Sequence, residues 1–380
     1  KTDHKLELNQ LSCARILPSG QITLSYGQRA FTNVLSYSLS DSSRTKCALP
    51  PGKGHDSMTQ PHQPALFELP QGRLAAVEPS AEQHALAQAL PRSLHMGAMT
   101  WSYPGWAGVV YAHKHGEREL AARGLTAYAQ LPLLRAAEID RTYYEPLSAA
   151  SFVHYAEQVP DDFRFLVKAH EDCTVARYPM HARYGRRRGQ DNPRYLDAGY
   201  AAESVVEPLA GLGNKLAALL FQFSPQSEHD PEAFAEQLHR FLRQLPSDVL
   251  YAVELRNRAL LSEAYGAALA DVGAVHCHNA WSFMPSVLAQ AKRLPKETRR
   301  PLILRWLLRR NDRFSEASER YAPFNRIVSE DPDTRAEVTS LVSKALRSGV
   351  PACVLLDNKA EGCAPQSVTL LAHALAEVLG

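Results

Sequence analysis

From about residue 95 to its end, the chain alternates short apolar, β-rich runs with amphipathic helical stretches, eight times over. The runs fall at 96–101 (MGAMTW), 136–140 (AAEID), 163–168 (FRFLVK), 216–221 (LAALLF), 250–255 (LYAVEL), 273–277 (GAVHC), 302–305 (LILR) and 352–357 (ACVLLD). Between them stand helical patterns such as ELAARGLTAYAQL, AASFVHYAEQVP, DPEAFAEQLHRFLRQLP, LSEAYGAALADVG and TRAEVTSLVSKALRSG, and APQSVTLLAHALAEVL closes the series. Strands that are apolar on both faces belong to parallel sheets covered by helices. Eight such units predict an α/β fold, a (β/α)8 TIM-type barrel over 95–380. A doubly wound open sheet is the rival. It would place a glycine-rich turn after the first strand, where this chain has aromatics and Pro104.

Upstream, residues 1–57 show no sustained periodicity and read as a disordered or non-native extension. Met58 opens a lead-in segment, 58–94. The PGKG at 51–54 lacks the full spacing of a phosphate loop. Apolar residues make up 45% and charged residues 22%, with a formal charge of +2, so global charge points to neither a nucleic-acid nor a membrane partner. The six cysteines form no CxxC pair, which fits a reduced, cytoplasmic setting. No apolar stretch approaches the roughly 18 residues that span a bilayer. The first residues lack the apolar core of a signal peptide.

In a barrel of this kind, chemistry gathers at the C-terminal ends of the strands. The polar residues concentrate there: Glu138 and Asp140, Lys168 and His170, Gln222, Glu254 and Arg256, His276 and His278, Arg305, Asp357 and Asn358. Period-two alternation puts each pair on one face. Buried carboxylates need cations beside them, so Glu138 and Glu254 call for Lys168, Arg256 and Arg305. Such groups have shifted pKa values and are candidate acid–base machinery, and Lys168 is in addition a candidate for a Schiff base. HCHN at 276–279 reads first as ordinary barrel-lining histidines, which leaves the cofactor unknown; a divalent metal held with Glu138 or Glu254 across the barrel is the alternative. The loop at 176–195 interleaves six arginines with Tyr178, Tyr184 and Tyr195, and the seventh loop adds Arg309, Arg310 and Arg313. Arginine forks suit phosphate or carboxylate, and arginines among aromatics suit single-stranded nucleic acid.

The segments MTWSYPGW, AEIDRTYYEPLS, FRFLVKA, LLFQFSPQ, YAVELRNRAL and LLDNKAEGCAPQSV, in that order, resemble the family of domains of unknown function numbered seventy-two, also called YecE-like. The resemblance implies a TIM-type barrel and no established activity. Position by position it supports Trp101, Ser102, Tyr103, Trp106, Glu138, Thr142, Tyr144, Lys168, Gln222, Glu254, Arg256, Arg305 and Asn358. The chain departs from the pattern at Asp140, at His170-Glu171 and at Gln366-Ser367.

The expectation is an enzyme acting on a phosphorylated or otherwise anionic small molecule, with sugar-phosphate isomerisation or hydrolysis as the first classes to screen. Glu138, Lys168 and Glu254 are the catalytic candidates. Trp101, Tyr103 and Trp106 are expected to form an aromatic wall, with Thr142, Tyr144, Gln222, Arg256, Arg305 and Asn358 as binding groups. Nucleic-acid binding through 176–195 and non-catalytic ligand binding are the alternatives.

Overall fold

In the computed structural model, the described residues are 73–380 except 226–229, 296–299 and 310–311, together with three short strands near the N-terminus. The chain divides into two units, Lys1–Leu69 and Pro70–Gly380. In the first, Ala14–Ile16, Ile22–Tyr26 and Arg29–Ala30 pair antiparallel. The rest of the expected extension and the PGKG segment lie outside the described residues, as does most of the lead-in.

The second unit is the predicted barrel. Its strands are β1 (Leu94–Ala98), β2 (Ala136–Ile139), β3 (Arg164–Lys168), β4 (Leu216–Phe223), β5 (Tyr251–Leu255), β6 (Val275–Ala280), β7 (Leu302–Trp306) and β8 (Ala352–Leu356). All are parallel, each pairs with its sequence neighbour, and β8 closes on β1. Two apolar layers hold it. Ala136, Leu166, Leu220, Ala252, Ile303 and Leu355 fill the interior. The alternate residues, among them Ile139, Phe165, Val167, Phe221 and Val253, face outward onto the helices. Period-two alternation thus buries both faces of every strand.

The helices form where caps and apolar stripes coincide. Pro231–Arg243 starts at Asp230, whose carboxylate accepts from Ala233 N at 2.8 Å, and buries Phe234, Leu238, Phe241 and Leu242. Glu263–Val272 stops at Gly273, whose φ of 71° suits glycine, so β6 begins at Val275 and not at Gly273. The cover after β3 is irregular, a short helix running through a π turn into 3-10 turns over Ala198–Lys215. Pro208, Gly211 and Gly213 interrupt any 3.6-residue stripe there. At the other end, β1 finishes at Ala98, three residues before its expected limit, which leaves the aromatic segment in a loop.

Backbones approach closely at the β1–β2 seam. A Cβ on Gly97 would lie 1.7 Å from the Ala136 carbonyl oxygen and 2.8 Å from the Tyr128 hydroxyl. That hydroxyl itself ties the seam, donating to Ala136 O at 2.9 Å and accepting from Ala98 N at 2.7 Å. Gly97→Ala must push strand from strand, at a cost of about 3 kcal/mol or more. Urea unfolding checks this; a loss below about 1 kcal/mol would show that the seam yields.

Candidate functional site at the barrel mouth

Arg305, at the C-terminal end of β7, points into the barrel and is almost wholly enclosed. Its guanidinium meets Glu138 of β2 through two bonds, Nε to Oε2 at 3.0 Å and Nη2 to Oε1 at 2.9 Å. Its third nitrogen, Nη1, donates to Glu254 Oε2 of β5 at 2.5 Å and reaches Gln222 Oε1 of β4 at 3.3 Å. Arg256, two residues beyond Glu254 on the same face, returns Nε to Glu254 Oε1 at 2.5 Å and Nη2 to Gln222 Oε1 at 3.1 Å. One planar fork therefore ties strands on opposite sides of the barrel, and the two carboxylates that accept it are fully buried.

The two carboxylates differ in character. Burial alone would raise both. At Glu254 the paired guanidiniums of Arg305 and Arg256 overcome burial and hold the carboxyl down at about 2. At Glu138 burial is the larger effect, and the carboxyl rises above its ordinary value despite Arg305 and Lys168. Glu254 is thus the more firmly ionised brace, whereas burial leaves Glu138 with a raised affinity for a proton.

Lys168 closes β3 and stays partly accessible. Its Nζ lies 4.1 Å from the centre of the Tyr143 ring and makes no ion pair or hydrogen bond among the described residues. Burial and the charge of Arg305 push the ammonium down to about 8, against the pull of Glu138. Thr142 Oγ1 stands 2.6 Å from the Lys168 carbonyl oxygen and 2.9 Å from that of Ile139, clamping the ends of β3 and β2 together. Across the mouth, the Arg256 guanidinium stacks 4.1 Å above Trp281. Tyr103, half-buried, packs between Trp106 and Phe324. Tyr143 and Trp281 were not among the expected site residues. Tyr143 sits in a 3-10 turn, Arg141–Tyr143, where two-residue alternation no longer holds. Trp281 follows a strand that runs three residues past its expected end.

Other expectations need correction. Trp106 is completely buried, donating from Nε1 to Asn358 Oδ1 at 3.2 Å and stacking on Tyr128. Trp101 is buried edge-on against Tyr155. These two rings pack the core and present no wall to a ligand. Asn358 has its oxygen taken by Trp106 and by Ala364 N, at 2.9 Å. Thr142 is spent on the strand ends, and Tyr144 turns outward, 55% exposed, beneath Arg183. His170 also leaves the mouth and meets the Tyr200 hydroxyl at 2.8 Å.

His276 and His278 point away from the carboxylates. His276 bonds the Tyr265 hydroxyl at 2.8 Å and Gln290 Oε1 at 3.0 Å, both on covering helices, and His278 lies ring to ring with it. The residue that faces inward is Cys277, 3.9 Å from Glu254. A metal bridging HCHN to Glu138 or Glu254 is therefore geometrically excluded. Among the described residues no group of three or more His, Cys, Asp or Glu is placed to hold a metal ion.

In the third loop four of the six arginines pair with acids of the same loop. Arg183 pairs with Glu171, Arg187 and Arg194 with Asp172, and Arg177 with Asp191. Two of the interleaved tyrosines are stacking partners, Arg183 lying over Tyr184 and Arg187 over Tyr178, while Arg194 lies over Tyr200 beyond the loop, each at 4.5 Å. No helix among the described residues is long and apolar enough to cross a membrane.

Two outcomes follow from these electrostatics. Arg305→Met leaves two buried carboxylates without their shared cation and is expected to lose about 3–5 kcal/mol in chemical denaturation. Adding Glu138→Gln and Glu254→Gln to it should recover much of that loss; no recovery would mean that packing, not charge, sets the cost. His276 and His278 are held neutral by burial, at about 4 and about 3. Because their folded values lie below the ordinary value of about 6.5, the stability they permit is lost as pH falls from about 6.5 towards 3. His278→Leu should flatten the acid side of the stability profile between pH 6.5 and 4, measured by urea unfolding. An unchanged slope would remove the pair from that role.

The family model described as "Protein of unknown function DUF72" matches residues 95–379. A crystal structure of a DUF72 family protein from Enterococcus faecalis superposes with a TM-score of 0.51 at 17% identity, covering 75% of this chain and 95% of that one. One from Thermotoga maritima gives 0.49 at 22% identity, covering 75% and 98%. No curated protein matches the sequence. With its barrel, its strand-end motifs and a family match that spans them all, the chain belongs to the DUF72 family.

Proposed function

We propose that the barrel mouth binds a small anionic molecule and that the protein is an enzyme whose proton-transfer groups are Lys168 and Glu138. The observation that carries this reading is the Lys168 ammonium, set at the strand end without an acceptor. A cation in a partly desolvated position without a counter-charge costs stability, so its place is better explained by a group that arrives from solution. Arg256 and Arg183 extend the positive face: Arg256 is partly buried over Trp281, and Arg183 reaches over Tyr143 and Tyr144. Gln222 keeps its amide nitrogen for a neutral contact, since its oxygen serves the two arginines.

The chemistry follows from the pKa directions. Near neutral pH, Lys168, at about 8, exchanges a proton readily, and burial raises the Glu138 carboxyl above its ordinary value. Arginine does not release its proton and Glu254 does not take one up, so neither can serve in their place. A site with one proton-labile amine and one proton-labile carboxyl suits proton transfer next to a carbonyl or at a phosphate-bearing substrate.

Lys168→Met tests the reading. With glycerol 3-phosphate and lactate as probes, wild-type protein should show a rise in melting temperature that grows with probe concentration. The variant should lose tenfold or more in affinity, as expected for a charged hydrogen bond of about 1.5–3 kcal/mol. Without ligand the variant should be as stable as wild type or more so. Equal affinity in both proteins would move the anion site elsewhere.

A further inference from the structure

Two other lysines show what a structural ammonium looks like in this barrel. Lys359 is buried with Nζ 3.2 Å from Asp357 Oδ1. Lys215 donates to the carbonyls of Ala156 and Val159, each at 2.8 Å. Lys168 has neither arrangement. The carboxylate whose charge acts on it most strongly, Glu138, has both oxygens taken by Arg305. What remains to its Nζ is the face of Tyr143, on a residue that keeps partial exposure. An amine so placed has its lone pair uncommitted once the proton leaves, and the ring beneath it favours a positive charge at that nitrogen whether it is an ammonium or an iminium.

We propose that the ε-amine of Lys168 forms a Schiff base with the carbonyl group of a small anionic carbonyl compound bound at the mouth. This rests on the anion-binding reading above and names the class of substrate. The lone pair of the neutral amine forms a bond to the carbonyl carbon, and the oxygen takes up a proton. The nitrogen then gives up a proton, leaving a carbinolamine. A second proton goes to that oxygen, the carbon–oxygen bond breaks, and water leaves as the nitrogen closes the iminium. Overall, one amine, one carbonyl and one proton become one iminium and one water, with nothing oxidised or reduced. These protons are exchanged with solvent water, since Glu138 and Glu254 are both engaged by Arg305. The groups whose charge bears on the amine are Arg305, Glu138, Arg256 and Asp140; the two arginines disfavour its proton and the two acids favour it.

The test uses the full chain and two matched pairs of probes: glyceraldehyde 3-phosphate with glycerol 3-phosphate, and pyruvate with lactate. In each pair only the first has a carbonyl. Each mixture is treated with sodium borohydride, which reduces an iminium to a stable secondary amine, and the modified lysine is located by peptide mass mapping. The expected result is a reduced adduct on Lys168 with a carbonyl probe and none with its partner. At pH 7 it should form at least about tenfold faster than on ordinary exposed lysines, because an amine near 8 is far more often neutral than one near 10.4. Its rate should climb as pH rises through 8. Lys168→Arg keeps the charge but has no amine that can form the adduct, so it should give no trapping at this position with either carbonyl probe. Adducts spread over exposed lysines with Lys168 unmodified, while glycerol 3-phosphate still binds in a Lys168-dependent way, would overturn the Schiff base and leave the anion site standing. No binding of any of the four probes would overturn both. Mapping on the wild-type protein decides the matter even where a variant fails to fold.

Discussion

The mouth of this barrel depends on one guanidinium serving two carboxylates. Arg305 is the only group that touches both Glu138 and Glu254 among the described residues, and those acids stand on strands two and five. A buried carboxylate without a partner would neutralise or unfold its surroundings. Arg305 removes that penalty at two sites at once, and its planar fork sets the distance between them. Gln222 and Arg256 complete the net, so four strands are held in register at the end where the apolar interior stops.

Because the fork is shared unequally, the two acids are not equivalent. Glu254 has two cations of its own, counting Arg256. Glu138 has only its share of Arg305 in direct contact and keeps a residual tendency to hold a proton. The same asymmetry acts on Lys168. Arg305 and Arg256 repel its proton, and Glu138, occupied by Arg305, cannot come close enough to hold it. A stable ionic brace and a labile amine are thus two results of one arrangement.

How much of this was legible in the sequence depends on where each residue lies along its strand. Within a strand, period-two alternation is rigid, so Glu138, Lys168, Gln222, Glu254, Arg256 and Arg305 could be grouped on one surface from spacing alone. Where strands end, alternation stops. Tyr143 escapes any argument from strand spacing, because a 3-10 turn and not the strand sets its direction. Trp101 and Trp106 read as a wall because they follow a strand. With β1 ending at Ala98, the loop is long enough to fold both rings into the helical layer. HCHN shows a further limit. Both faces of a parallel barrel strand are buried, so composition does not tell which parity faces inward, and the histidines took the outer face while Cys277 took the inner. The ion pairs of the arginine-rich loop were not legible either, because the acidic partners Glu171 and Asp172 precede the basic run and meet it only after the chain folds back.

The position of Lys168 connects these points. Among the described residues, Glu138, Glu254, Arg256 and Arg305 satisfy one another in the inner layer. Lys168 lies at the last residue of β3, where its register partner on β4 is the apolar Leu220 and offers no acceptor. Beneath it the interior is apolar, so no solvent competes from below. Beside it the carboxylates are committed. A cation held there without a counter-ion is less stable than the same cation in water, and the difference is available to whatever anion or carbonyl group enters. In this barrel the stability invested in the Arg305 network is what allows one amine to remain unpartnered.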